Sequence, residues 1–258
     1  MNTRVNSSPE AWVRRFHPAN KNAPVVLCLP HAGGSASYFY PMSDTLSPWV
    51  DVRTVQYPGR QDRRAERCVD SIPELADAIF VALTKADPLV LFGHSMGATV
   101  GFELARRLTA AGRPPAALIV SARTAPARNV DHGVHRLPDA GVVAELAKLN
   151  GTSGVLLEDV ELLSMILPAI RADYRAVETY HCAPGVTVPC PIVALTGDAD
   201  PKTSIADARA WAAHTTGDFE LEVFPGGHFY LQDNENRSAV AAAVREVADG
   251  AARRALSA

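Results

Sequence analysis

The chain has 258 residues, a formal net charge of −3 and four cysteines, with 47% hydrophobic and 21% charged residues. These values suit a single soluble domain whose core is large enough to need neither disulfide nor metal. The slightly acidic balance excludes a global basic field for nucleic acid or anionic membrane, and no apolar run of about 18 residues offers a spanning helix.

Met1 to Glu10 is polar and lacks the apolar centre of a signal peptide, so the cytoplasm is the expected compartment. Pro24 to Leu29 is a short continuous apolar run that reads as a strand buried on both faces. Val50 to Gln56 is a second strand candidate. A helix is expected over Ile72 to Lys85, then a strand over Leu89 to Phe92, a helix over Ala98 to Ala111 and a strand over Ala117 to Val120. From Thr124 to Gly185 the pattern is helical, as in Ala140 to Leu149 and Asp159 to Tyr180, with no convincing strand. About sixty residues is too long for a simple crossover, and this insertion (about 124–185) is read as a helical lid on a single domain spanning 1–258. The alternation resumes with a strand at Ile192 to Leu195, a helix at Ile205 to His214, a strand at Phe219 to Phe224 and a last helix from Glu235 to about Leu256. Strands and helices in turn, joined by short connections, imply an α/β domain with a mostly parallel central sheet flanked by helices. Cys28, Cys68, Cys182 and Cys190 lack C-x-x-C spacing, which argues against a zinc site and suggests no disulfide framework. They read as apolar fillers.

The sharpest signal is Gly93-His94-Ser95-Met96-Gly97, a G-x-S-x-G element between an expected strand and an expected helix. A strand turning sharply into a helix brings the residues two before and two after the serine together, where a Cβ would clash. Glycines there permit the strained serine backbone. Ser95 then stands at the positive end of the following helix as a candidate nucleophile. A serine needs a base oriented by a third group, and the α/β-hydrolase arrangement supplies them in the order serine, acid, histidine. His228, in Pro225-Gly226-Gly227-His228-Phe229 directly after the last strand, is the candidate base; His214 falls within a helical stretch. The acid follows the strand at Ile192, where Gly197-Asp198-Ala199-Asp200-Pro201 offers two aspartates. Loop reach favours Asp200, with Asp198 as a turn residue supporting the loop. An oxyanion hole needs two backbone donors. Met96, after the nucleophile, and Ala32, in Pro30-His31-Ala32-Gly33-Gly34-Ser35, are the candidates, with His31 bracing that loop. Arg60, Arg63, Arg64 and Arg67 form a basic cluster interleaved with Asp62 and Glu66, which reads as a solvated face or as a contact for an acidic partner. Tyr38, Phe39, Phe229 and Tyr230 flank the catalytic loops and are candidates to line an acyl pocket or to pack the core.

Taken together, Leu29-Pro30-His31-Ala32-Gly33-Gly34-Ser35-Ala36, Gln56-Tyr57-Pro58-Gly59-Arg60, Gly93 to Ala98, Gly197 to Asp200 and Pro225 to Phe229 resemble the stand-alone type II thioesterases of polyketide and nonribosomal peptide synthesis. The likeness runs from Trp12 to about Leu231 and is weakest in the insertion. It implies a triad of Ser95, Asp200 and His228 with oxyanion donors at Ala32 and Met96. It also implies hydrolysis of misprimed or stalled acyl groups from the phosphopantetheine arm of acyl or peptidyl carrier proteins, with no cofactor or metal. A monomer is expected. The alternatives are a small-molecule carboxylesterase or acyltransferase on the same fold, a cyclising thioesterase, and a binding protein that has lost catalysis.

Overall fold

Val25–Leu29 (β2), Asp51–Val55 (β3), Leu89–His94 (β4), Ala117–Ser121 (β5), Ile192–Gly197 (β6) and Phe219–Phe224 (β7) are the parallel strands of one seven-stranded sheet. The seventh strand, Val13–Arg15 (β1), pairs antiparallel with β3, and the order across the sheet is β1-β3-β2-β4-β5-β6-β7. In this computed structural model residues 5–6, 8–83, 89–149 and 160–256 are described. The expected helix end at Lys85 and helix start at Asp159 lie outside them.

Every residue of β2, β5 and β6 is buried, which is why these strands read as unbroken apolar runs rather than alternating ones. The edge strand β7 is covered on one face only and alternates accordingly. Helices fill both faces. One layer packs Pro9–Trp12 (α1), Ile72–Ala82 (α3) and Met96–Ala110 (α4) with Tyr180 and Trp211 against the sheet. The opposite layer packs Tyr40–Leu46 (α2) and Asn234–Leu256 (α8) through Phe39, Leu46, Val240 and Val244. The α3 helix starts where expected because the Ser71 hydroxyl accepts from Glu74 N and a proline occupies its first turn, while Ile72, Leu75, Ala76 and Ile79 recur at helical spacing on the buried face. The expected helix from Ile205 instead divides into a short α-helix, Ile205–Arg209 (α7), and a tighter 3-10 segment, Ala210–His214.

After β2 the chain passes to β3 on one side of it and then to β4 on the other. The sheet therefore has its topological switch point between β2 and β4, where the crevice at the carboxyl ends of parallel strands is open to a ligand. The insertion contributes Asp139–Lys148 (α5) and Val160–Glu178 (α6), which share a small core of Val142, Leu146, Leu167 and Ile170. Both helices border that crevice. Among the described residues no helix is long and apolar enough to cross a membrane.

Candidate active site

Ser95 lies between β4 and α4 with φ 53° and ψ −116°, a strained backbone for a residue with a Cβ. The glycines around it are required by contact rather than by flexibility. A Cβ on Gly93 would lie 2.2 Å from the Gly97 carbonyl oxygen, and one on Gly97 would lie 1.9 Å from the Leu29 carbonyl oxygen. The elbow is held from the other side by Ser95 N, which donates to Ser121 O at 2.8 Å.

The structure brings Ser95, His228 and Asp200 together from three loops at the carboxyl ends of β4, β7 and β6. His228 Nδ1 lies 2.9 and 3.1 Å from the two Asp200 carboxylate oxygens, and its Nε2 lies 3.0 Å from Ser95 Oγ. A carboxylate only accepts, so Nδ1 carries the proton and donates, leaving Nε2 free to accept from the serine hydroxyl. Asp198 has a different place: its carboxylate accepts from Gly226 N at 2.9 Å and so braces the turn before His228. Gly197 lets the two loops meet, since a Cβ there would lie 2.3 Å from the Gly226 carbonyl oxygen. His214, the other late histidine, is buried, with Nδ1 against Val186 O and Nε2 accepting from Ala127 N. Both its ring nitrogens are occupied.

Met96 is the first residue of α4, where backbone N–H groups have no carbonyl within the helix to meet. Ala32, Met96, Ser95 and His228 line one cavity of about 370 Å³. Gly33 in the facing loop takes φ +77°, and a Cβ on Gly34 would lie 2.8 Å from the His31 ring. The paired glycines thus serve one unusual backbone angle and one close approach. His31 packs against Tyr38, Phe229 and His94, with centroids 4.4, 4.9 and 5.9 Å away. Burial, then the nearby charge of His228 and Arg60, pushes its pKa down to about 3. Behind the serine, fully buried His94 hydrogen-bonds Ser121 Oγ at 2.9 Å, and Ser121 bonds the Tyr230 hydroxyl at 2.7 Å. Burial likewise holds His94 well below its ordinary value.

The cavity walls are apolar where α5 and α6 close over it, through Leu146, Ile166, Ile170 and Val177. Arg123, after β5, is the buried cation of a lining that also includes Arg128 and Lys202. Burial lowers its pKa to about 10, so it stays charged at neutral pH, and it donates to Thr99 Oγ1 and to Asn129 Oδ1. Among the described residues Asp131, His135 and Glu178 gather at one place. Glu178 is already engaged there, accepting from Val134 N, His135 N and His135 Nδ1.

The structure divides the aromatics between their two readings and corrects the reading of the arginine cluster. Of the four aromatics flanking the loops, only Phe229 lines this cavity; Phe39 and Tyr230 are core residues, and Tyr38 stacks on His94. The arginine cluster is not a solvated face as a whole. Arg60 and Arg63 are buried: Arg60 pairs with Asp173, while Arg63 pairs with Glu66 and lies 4.4 Å over the Trp12 ring. Only Arg64 and Arg67 remain at the surface. The sequence reading also missed Arg123 and Asp173, whose significance lies in distant partners that no local pattern signals.

A serine on a strained strand–helix elbow, a histidine and an aspartate in relay, and a switch-point cavity define the α/β-hydrolase class. The thioesterase domain family matches residues 24–247, and the chain belongs to that family, whose chemistry is thioester hydrolysis. It is 48% identical to the thioesterase PikA5 of Streptomyces venezuelae over 89% of this chain and 83% of that one. It is also 48% identical to a probable cadicidin biosynthesis thioesterase of Streptomyces griseus, over 89% of this chain but 64% of that protein's length. The structure of BorB, a type II thioesterase from the borrelidin biosynthetic cluster, superposes with a TM-score of 0.84 at 51% identity, covering 92% of this chain and 98% of BorB.

Proposed function

We propose that this chain hydrolyses acyl groups from the phosphopantetheine arm of acyl or peptidyl carrier proteins, clearing misprimed or stalled synthases. Ser95 is the nucleophile, His228 the general base and acid, Asp200 the group that orients and stabilises the imidazolium, and the Ala32 and Met96 amides the oxyanion donors. The observation that carries the reading is the relay from Asp200 through His228 to Ser95 Oγ, opening into a cavity large enough for a short acyl chain.

Ser95 attacks the thioester carbonyl while His228 Nε2 takes the hydroxyl proton. The carbonyl oxygen gains charge and is met by the two backbone N–H groups and the positive end of α4. Collapse expels the thiol of the arm, which receives the proton from His228, and leaves an ester on Ser95. Water then gives a proton to His228 and attacks that ester, releasing the acid and restoring the hydroxyl. Residues 124–185 act as the lid, and similarity to YbtT, a type II thioesterase from the yersiniabactin NRPS/PKS biosynthetic pathway, supports a carrier-borne substrate. The enzyme works as a monomer in the cytoplasm.

The test compares turnover of a short acyl thioester on holo carrier protein with the matching oxygen ester. Preference for the thioester supports the reading. Preference for the oxygen ester would leave the fold and the relay in place but make the chain a carboxylesterase.

A further inference from the structure

The Gln56 to Arg60 stretch after β3 takes no part in the chemistry above, yet its polar side chains converge on one target. Gln56 Oε1 accepts from Ala36 N at 2.8 Å, the Tyr57 hydroxyl donates to Pro30 O at 3.3 Å, and Arg60 Nη1 donates to Gly34 O at 3.0 Å. These bonds grip the loop carrying Ala32 at its start, middle and end. Arg60 in turn meets Asp173 of α6 in a two-pronged ion pair at 2.6 and 2.9 Å, both side chains being buried. The same Asp173 carboxylate accepts from Gly33 N at 2.7 Å, across 140 positions of sequence. Ile170 and Tyr174 of α6 line the cavity, whereas Asp173 does not.

A loop built on Gly33-Gly34 has little conformational preference of its own. Its shape is imposed from outside, by a charge-assisted bond at Gly33 N and a guanidinium at Gly34 O. We infer that Asp173 and Arg60 are positioning residues that fix the oxyanion loop and make its shape depend on the seating of α6. With α6 seated, Gly33 has its acceptor and the neighbouring Ala32 amide is held facing the serine. With α6 lifted, the loop loses that acceptor and Arg60 becomes a buried cation without its counter-ion, so an intermediate position is disfavoured. Covering the substrate and assembling the oxyanion hole are then one event. This inference rests on the reading of Ala32 as an oxyanion donor.

The test uses Asp173→Asn in the full chain with an acyl N-acetylcysteamine thioester. The expected result is a fall in kcat of about 10- to 100-fold, since small misplacements of catalytic groups and loss of oxyanion contacts cost rates of that order. KM should stay within about twofold, because Asp173 is not part of the cavity lining. Affinity for an alkyl boronic acid, which forms a tetrahedral adduct on Ser95, should fall by the same factor as kcat. A purely structural role would lower Tm but leave kcat per titrated active site and boronate affinity at wild-type values, and that outcome overturns the inference. Tyr57→Phe removes only the hydroxyl on Pro30 O and should show the same pattern more weakly, several-fold. If Asp173→Asn does not fold, wild-type kcat and boronate affinity in Tyr57→Phe overturn the inference. Ser95→Ala separates the two readings. A wild type that turns over while Ser95→Ala does not keeps the thioesterase reading whatever Asp173→Asn does, and an inactive wild type withdraws both.

Discussion

Replacing Gly97 with alanine should slow catalysis while leaving the chain folded. Its Cβ would lie 1.9 Å from the Leu29 carbonyl oxygen and 2.8 Å from the Pro30 carbonyl oxygen, whereas a Cβ essentially never comes within 3.0 Å of another heavy atom. Relief needs a separation of at least about 1 Å between the start of α4 and the end of β2. Neither can give by a rotamer change, because both contacts are backbone. Overpacking of this kind costs about 1–3 kcal/mol, which a domain of this size survives. The same 1 Å lies between the two expected oxyanion donors, Met96 on the helix side and Ala32 just after Pro30. Displacement on that scale costs about 10²-fold in rate. The assay is kcat on a short thioester, normalised by fluorophosphonate titration of Ser95, beside a urea denaturation curve. Gly93→Ala presses on the same elbow from the other side, at 2.2 Å from the Gly97 carbonyl oxygen, so the double variant should lose less than the sum of the two. A Gly97→Ala enzyme with wild-type kcat per active site would refute the reasoning.

Asp200→Asn should lower kcat by about 10³- to 10⁴-fold, because the amide no longer fixes the tautomer that leaves Nε2 free to accept. Asp198→Ala should lose only about tenfold, since it frees the Gly226 turn without touching the ring; equal losses in steady-state kinetics would contradict the division of labour between the two aspartates. Stability should fall on acidification through two histidines. Burial holds His31 at about 3 and His94 well below its ordinary value, while in the unfolded chain both titrate near 6.5. Their contribution is complete above that pH, and each withdraws about 1.4 kcal/mol per pH unit below it until the folded pKa is reached. A urea midpoint unchanged between pH 7 and pH 5.5 would speak against neutral burial of these rings.

The central strands were legible because burial on both faces leaves Val25 to Leu29 and Ile192 to Leu195 as unbroken apolar runs. β1 was not, for it is a three-residue edge strand carrying Arg14 and Arg15, with no buried position. Ser95, Asp200 and His228 stood out because glycines mark their turns, at Gly93, Gly97 and Gly197 for close backbone approach and at Gly226 for a φ of +118°. The Arg60–Asp173 pair has no such mark, as its members lie 113 residues apart and meet only through the fold. Arg60 and Arg63 read as surface charge because interleaved acids at Asp62 and Glu66 suggest a solvated run, whereas a guanidinium satisfied by carbonyls and a carboxylate can be buried. Phe39 and Tyr230 show a further limit. Proximity to a catalytic loop in sequence does not say which side of the sheet a ring faces.

The most direct test of the account is single-turnover hydrolysis of a short acyl group from phosphopantetheinyl carrier protein, by wild type and by Ser95→Ala. The wild type should release the acid rapidly and show an acyl adduct on Ser95 by intact mass in a quenched reaction, and the variant should do neither. Undiminished hydrolysis by Ser95→Ala would contradict it.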